Sequence, residues 1–332
     1  MTVTSAPPEA VPRRLTVTHD TGDRIFHGAA RSIGLFVLFM TGAIGVFLGY
    51  QSIPTLHRYG LHFFSQTQWQ PELDRIGIAA VLVGTVEVAF VAMVVSFPLA
   101  LGLALFITDY APKRIKSWLV TTVDLMAAVP SIIYGLWGFF LLGPQAMNVG
   151  RWLSEYLGFL PIFKVDTDPH AAVWQQSRYT GSVFIAGLTV SMMAIPLACA
   201  VMRSVFDQTP LGEREAAMAL GGTRWGAAKM VVFPFAKGGI IGGTMLALGR
   251  ALGETAAVLI VLAPAYAISD RILQTGGQTT SALIASNFGN ATRSQLSALL
   301  TAGFVLFLIT IVVNSIAAVI IRRSRSAALT EI

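Results

Sequence analysis

Six segments of the chain are long and apolar enough to cross a bilayer as helices, and they constrain the fold more than any other feature. They cover residues 33–50, 76–108, 117–142, 181–202, 238–265 and 296–321. A spanning helix needs about 17–25 largely apolar residues. Hydrophobic residues make up 54% of the chain and charged residues only 12%, whereas a soluble domain carries about 25% charge. The sequence therefore predicts an all-α membrane protein with six transmembrane helices.

Three prolines, Pro98, Pro130 and Pro196, fall inside these segments. Proline is tolerated in a spanning helix because neighbouring groups can bind the carbonyls that it frees. Glycines are concentrated in the fifth segment, where they favour either close helix packing or movement. We therefore expect kinked and closely packed helices.

The basic residues are distributed unevenly between the two sides of the membrane. Of the 23 Lys and Arg residues, 15 lie in the N-terminal tail, the second-to-third loop, the fourth-to-fifth loop and the C-terminus. Because cytoplasmic loops collect Lys and Arg, both termini are predicted to be cytoplasmic. The predicted organisation is a mobile tail at 1–30, a first transmembrane helix at 31–52, a membrane core at 75–322 with a cytoplasmic loop at 203–237, and a C-terminal tail at 323–332.

The most informative polar stretch lies in the loop between the fourth and fifth segments. Residues 211–220 are rich in alanine, which favours a short helix. Gly221 and Gly222 are suited to end that helix in a left-handed cap. An apolar face with Ala217 and Leu220 would need a cytoplasmic partner to cover it. The alternative is a solvated helix that only links two membrane helices.

This loop resembles the coupling loop of ABC importer membrane subunits. It has E-A-A at 215–217, G at 221 and V-x-F-P at 231–234, similar to the family motif E-A-A-x3-G-x9-I-x-L-P with two conservative replacements. The resemblance covers about residues 75–322 and implies the type I ABC importer permease fold. It also implies that the loop forms a coupling helix in a groove of an ATP-hydrolysing subunit. The residues concerned are Glu215, Ala216, Ala217, Gly221 and Pro234.

A second motif, G-R-A-L-G-E-T at 249–255, lies inside the fifth segment. It resembles the motif of PstC-type permeases of high-affinity phosphate importers, as do T-T-S-A-L-I-A-S-N at 279–287 and the long loop after the third segment. The resemblance implies phosphate transport across the bacterial cell membrane, with Arg250 and Glu254 in the substrate pathway. The implied partners are a PstS-like phosphate-binding protein, a PstA-like second permease subunit and two PstB-like ATPase subunits, which would bind ATP and Mg.

The charges of this second motif are costly at membrane depth. An arginine there costs about 2.5–3.5 kcal/mol on insertion scales and normally faces the interior of a helix bundle. In a continuous helix, Arg250 and Glu254 would share a face, so a structural ion pair is one interpretation. The other is an anion pathway, in which the guanidinium offers forked donors to phosphate. Pairing with Glu254 would then weaken the contact enough for release.

Glu87 and Asp124 are two further carboxylates inside apolar segments, and both are too costly to face lipid. Each is expected to pair with Arg250 or with a charge on the partner permease, or to be protonated. Acids at such positions would also suit a secondary transporter or channel that works alone. The coupling loop argues against that alternative, because a self-sufficient carrier has no need of it. An ABC permease for another oxyanion, such as sulfate or molybdate, is the nearer alternative.

Enzyme activity is not expected in this chain. It contains no G-x4-G-K-[ST] phosphate loop, so another polypeptide would hydrolyse ATP. No histidine lies in an apolar segment, and Cys199 is the single cysteine, so neither a metal site nor a cofactor is predicted. The excess of basic residues is assigned to membrane orientation and not to nucleic acid. The outer loop at 143–180, with Trp152 and Tyr156, is predicted to dock a binding protein or to lie in the membrane interface.

Overall fold

The computed structural model describes residues 21–166 and 175–328. Residues 21–47 form one compact unit, and the described residues from 48 onward form another. Within the described residues, the α-helices are α1 (Thr21–Tyr59), α2 (His62–Ser65), α3 (Ala79–Leu105), α4 (Lys113–Ala128), α5 (Ser131–Trp137), α6 (Gly143–Leu157), α7 (Val183–Asp207), α8 (Leu211–Ala219), α9 (Arg224–Ala227), α10 (Phe233–Gly253), α11 (Ala256–Val261), α12 (Thr280–Asn287) and α13 (Arg293–Ala328).

Shorter elements connect these helices. Strands β1 (Trp69–Gln70) and β2 (Arg75–Ile76) pair antiparallel, with Trp69 opposite Ile76. Three π-helical turns lie between or beyond these helices. Phe106–Tyr110 continues α3, Gly138–Leu142 joins α5 to α6, and Ala228–Val232 joins α9 to α10.

Six helical segments of the described part are long and apolar enough to cross a membrane, which confirms the predicted number. They are Gly22–Tyr59, Ala79–Tyr110, Ser131–Leu157, Val183–Asp207, Arg224–Gly253 and Arg293–Ile321. Residues 21–30, predicted as part of a mobile tail, are helical, and residues 1–20 lie outside the described residues. The last helix likewise continues to Ala328, beyond the predicted boundary at 322.

The third span is not where the sequence placed it. Residues 117–142 were predicted to form one helix, but α4 ends at Ala128 and α5 begins at Ser131. Val129 between them is extended (φ −64°, ψ 131°), because a residue that precedes proline avoids the helical conformation. The segment of this region that is long and apolar enough to cross a membrane is Ser131–Leu157, which includes residues that were predicted to form the outer loop.

The fifth span also differs from its prediction at 238–265. Its helix begins earlier, at Arg224, and ends at Gly253. Glu254 is extended (φ −68°, ψ 128°), and the short helix α11 begins two residues later. The chain then turns back through an irregular segment in which Pro264 bridges Gly277, so the predicted single helix is two helices separated by a break.

Helices α3 and α7 pack closely along each other at the centre of the core. A Cβ atom at Gly187 of α7 would lie 2.5 Å from the Cβ atom of Val91 of α3, so glycine permits this approach. Buried side chains from α3, α5, α7, α10 and α11 meet in one hydrophobic cluster. It includes Val88, Tyr134, Val190, Leu252 and Val258.

The glycines of the fifth span fall into two groups. A Cβ atom at Gly239 would lie 2.3 Å from the side chain of Val205 on α7, so this glycine serves helix packing. At Gly249 and Gly253, no described atom lies within 4 Å of the Cβ position. The close glycine contacts are thus in the first half of α10, whereas Ala251 and Leu252 at its end are buried by other side chains.

Candidate translocation and coupling sites

Arg250 lies in the last turn of α10, close to the point at which the helix ends at Gly253. Its Nε atom is buried and has no hydrogen-bond partner. Within residues 21–166 and 175–328, Arg250 forms no ion pair, and it lies near Tyr134 of α5. The structural ion pair with Glu254 that the sequence allowed is therefore not formed, because the helix ends before Glu254 and the two residues do not share a helical face.

Glu254 is buried, with 8% of its surface exposed, and is fixed by two contacts. Its Oε1 atom accepts a hydrogen bond from the Ala257 N–H at 3.1 Å, in the first turn of α11. Its backbone carbonyl accepts a hydrogen bond from Ser281 Oγ at 2.6 Å. The carboxylate thus caps a buried helix N-terminus, and it stays close to the end of α10.

Tyr134 connects the two sides of the Pro130 break. Its hydroxyl donates to the Met126 carbonyl of α4 at 2.7 Å, and its side chain is buried. The next residue, Gly135, approaches α11 so closely that a Cβ atom there would lie 2.8 Å from Ala257 Cα. The ends of α4 and α10 and the beginnings of α5 and α11 therefore meet around Arg250. Broken helices at membrane depth are typical of transporter substrate sites.

A cluster of buried hydroxyl side chains lies at the start of α12, next to Glu254. The sequence alone did not predict a role for it. Thr85 of α3 accepts a hydrogen bond from the Thr280 N–H at 2.9 Å. Thr279 caps α12 by accepting from the Ala282 N–H at 3.3 Å. The run Thr279-Thr280-Ser281 within an apolar region was the available signal, since buried hydroxyls need specific partners.

Neither of the two other predicted carboxylates pairs with Arg250. Asp124 lies on α4, before the Pro130 break, and accepts from Arg203 Nη2 of α7 at 3.3 Å. Glu87 lies on α3 and lines a small cavity with Arg271 and Gln278, and among the described residues it forms no ion pair.

The short helix predicted at 211–220 is present as α8, and the left-handed cap at its end is confirmed. Gly221 has φ +86°. Its N–H donates to the Met218 carbonyl at 3.0 Å, and the Gly222 N–H donates to the Ala217 carbonyl at 3.2 Å. These two bonds define a Schellman motif. Pro234 lies in the first turn of α10, directly after the π turn Ala228–Val232.

The side chains of α8 are exposed or half-buried. None of its residues is buried, and Glu215 and Ala216 are exposed whereas Ala217 is half-buried. Leu220 is 91% exposed, and Leu211 and Met218 also present exposed apolar side chains. An exposed apolar patch on a polar loop is typical of a protein interaction surface. In the described part of the chain, no group of His, Cys, Asp and Glu side chains is arranged to hold a metal ion.

Comparison with known proteins places this arrangement in a family. The family model described as "Binding-protein-dependent transport system inner membrane component" matches residues 96–326. The phosphate transport system permease protein PstC 2 of Mycobacterium tuberculosis is 38% identical over 300 residues, covering 89% of this chain and 90% of the relative. The chain belongs to the PstC family. PstC of Pasteurella multocida is 35% identical over 308 residues and covers 92% and 94% of the two chains.

Membership of the PstC family makes this chain an inner-membrane permease component and not the ATPase. The same fold occurs in the bacterial alginate ABC transporter solved with its alginate pentasaccharide-bound periplasmic protein. That structure has a TM-score of 0.55 at 17% identity and covers 90% of this chain and 94% of its own. The predicted type I importer fold is therefore confirmed for this member of the PstC family.

Proposed function

We propose that this chain is the permease subunit of an ATP-driven importer, and that inorganic phosphate crosses the inner membrane through it after an external binding protein delivers the anion. Its relatives in the PstC family are named phosphate transport system permease proteins. The proposal assigns direct contact with the anion to Arg250. Glu254 keeps a negative charge near that contact.

The observation that carries the proposal is the unpaired state of Arg250. An arginine in a spanning segment normally forms an ion pair, and none of the described residues forms one with Arg250. Its guanidinium donors are therefore free for an incoming anion, and forked N–H donors match phosphate oxygens. The Tyr134 hydroxyl is occupied by Met126, which leaves Arg250 as the principal donor at this point.

In this proposal, Glu254 promotes the release of phosphate from Arg250. Its carboxylate caps α11 and so cannot neutralise Arg250 by swinging onto it without freeing the Ala257 N–H. A fixed negative charge beside the cation lowers the affinity for phosphate, and a transport site must be weak enough for the anion to leave.

The partners follow from the coupling helix and from the relatives. We assign α8 and its exposed apolar residues to a groove of a PstB-like ATPase, with two such ATPases in the complex. A PstA-like second permease completes the membrane part, and a PstS-like protein delivers phosphate from outside. Glu215 and Ala216 are exposed and Gly221 ends α8, and this presentation of the coupling motif supports the assignment.

The test is ³²P-phosphate uptake in cells that lack their own high-affinity importer and that express the whole complex. We expect Arg250→Gln to reduce uptake about 10- to 100-fold, because a hydrogen bond to a charged group contributes about 1.5–3 kcal/mol, while the complex still assembles and hydrolyses ATP. Arg293→Gln removes an exposed arginine and is the matched control, with uptake unchanged.

Two results would contradict the proposal. Uptake by Arg250→Gln at the wild-type rate would remove Arg250 from the pathway. Wild-type uptake that persists without the ATPase would favour a carrier that works alone. Unlabelled sulfate and molybdate added in excess distinguish the substrate, since a phosphate importer keeps its ³²P uptake in their presence.

A further inference from the structure

Arg214 joins the coupling helix α8 to two membrane helices. Its Nη1 atom pairs with Asp109 Oδ1, which lies in the π turn Phe106–Tyr110 at the end of α3. Its Nη2 atom donates to the Phe206 carbonyl in the last turn of α7. One side chain thus bridges α8, the second span and the fourth span.

The bridge is the least exposed ion pair in the described part of the chain. The side chains of Arg214 and Asp109 are 15% and 11% exposed. On the same side of the molecule, Lys116 and Asp207 form a 3.1 Å pair with 34% and 48% exposure. Charges in a partly desolvated position attract each other more strongly than charges in water, and a helix C-terminus such as the end of α7 favours a nearby cation.

The rest of α8 is held loosely. No residue of α8 is buried, so apolar packing contributes little to its position on the membrane helices. A planar guanidinium with two occupied Nη atoms fixes direction as well as distance. Movement of α8 along or toward the membrane would therefore act on Asp109 and on the end of α7.

The two helices that Arg214 reaches continue to the Arg250 region. Helices α3 and α7 share buried contacts throughout, and the cluster that contains Val88 and Val190 also contains Tyr134 and Leu252. Leu252 lies two residues after Arg250 on α10. A displacement at the end of α3 and α7 is thus transferred through packed side chains to the helix ends around Arg250, since close-packed interiors transmit strain.

We propose that Arg214 and Asp109 form a latch that transfers movement of the coupling helix into α3 and α7, so that ATP hydrolysis is coupled to transport. The inference rests on the proposed function, because it requires an ATPase bound to α8. Arg214 and Asp109 are positioning residues in this account, since neither contacts phosphate.

The test uses the complete importer in proteoliposomes and measures phosphate transported per ATP hydrolysed. We expect Arg214→Gln and Asp109→Asn each to lower this ratio at least about fivefold, which is the lower range of typical coupling between sites, while ATP hydrolysis continues. Arg214→Lys keeps the charge but lacks the planar fork that directs one nitrogen to each partner, so its ratio should fall between those of Arg214→Gln and wild type. Lys116→Gln breaks the exposed neighbouring pair and is the matched control, with a wild-type ratio.

If a single variant does not assemble because it leaves one buried charge unpaired, the double variant Arg214→Gln with Asp109→Asn removes both charges and should assemble with the same low ratio. A wild-type ratio in the double variant, or in both single variants, would overturn the latch. Failure of the proposed function gives a different result, because wild-type proteoliposomes would then show no phosphate transport or transport that does not depend on ATP.

Discussion

Arg214 and Arg250 are two arginines of one polypeptide with different surroundings. Each buries an Nε atom that has no hydrogen-bond partner among the described residues. The Nη atoms of Arg214 are bound by Asp109 and the Phe206 carbonyl, whereas Arg250 has no ion pair in the described part of the chain. The same cation can therefore fasten helices where the chain supplies its partners, and remain available to an anion where the chain does not.

The largest expected effect is a difference in the free energy of unfolding between variants at the two arginine sites. Asp109→Asn leaves the Arg214 charge buried without its partner, and we expect a loss of about 3–5 kcal/mol in the free energy of unfolding. Arg250→Gln removes a cation that is already unpaired, so its stability should equal or exceed that of wild type. Thermal unfolding of the purified chain in detergent measures both changes. An equal loss in the two variants would remove the distinction between them.

The second prediction extends the comparison to the C-terminal end of α8. Gly221→Ala places a Cβ atom at φ +86° and should cost about 1–2 kcal/mol of stability, because left-handed conformations are unfavourable for other residues. Gly212→Ala is the control in the same helix, where the Cβ position is open and alanine should stabilise by about 0.5–1 kcal/mol. The same thermal unfolding measurement applies. A destabilised Gly212→Ala with an unchanged Gly221→Ala would contradict the cap.

The third prediction concerns the charge beside Arg250. Glu254→Ala should cost about 1 kcal/mol of stability, since it removes a helix cap, and Glu254→Gln should cost less because its amide oxygen can still accept from Ala257. Uptake of ³²P-phosphate should nevertheless fall in both variants, because both lose the negative charge that favours release. Normal uptake in Glu254→Gln would limit the role of Glu254 to capping.

The smallest effect belongs to an exposed pair. Arg58 and Tyr59 donate to Asp74, and the hydrogen bonds from Tyr59 and Arg58 hold the pKa of this carboxyl below its usual range. A lowered pKa contributes stability above the pKa of the unfolded state, and that contribution is lost as the pH falls through the folded pKa. Wild type should therefore exceed Asp74→Asn in stability at neutral pH by a small margin that disappears in acid. A margin that grows in acid would contradict this sign.

The sequence was sufficient to predict the six spans, since their hydrophobic length is a local property. It was not sufficient to place the third one. Pro98 and Pro196 lie inside continuous helices, but Pro130 separates α4 from α5. The difference depends on tertiary partners such as Tyr134, whose hydroxyl binds the Met126 carbonyl at the break, and a sequence does not show which partners a freed carbonyl will find.

The candidate sites were predictable to different degrees. The cap at Gly221 follows from local chemistry, because glycine is the residue that a left-handed cap needs, and the structure has it. The shared face of Arg250 and Glu254 assumed an uninterrupted helix, and the helix ends at Gly253. The latch was not predicted at all, since Asp109 and Arg214 are far apart in sequence and meet only when α3, α7 and α8 have packed.

The most direct test of the account is chemical modification of Arg250→Cys in a Cys199→Ser background, within the complete importer. A cationic thiol reagent restores a positive charge at residue 250, and a neutral reagent of similar size does not. We predict that the cationic reagent restores part of the ³²P-phosphate uptake and that external phosphate slows the modification. Equal uptake with both reagents, together with a modification rate that phosphate does not change, would contradict the assignment of Arg250 to the anion pathway.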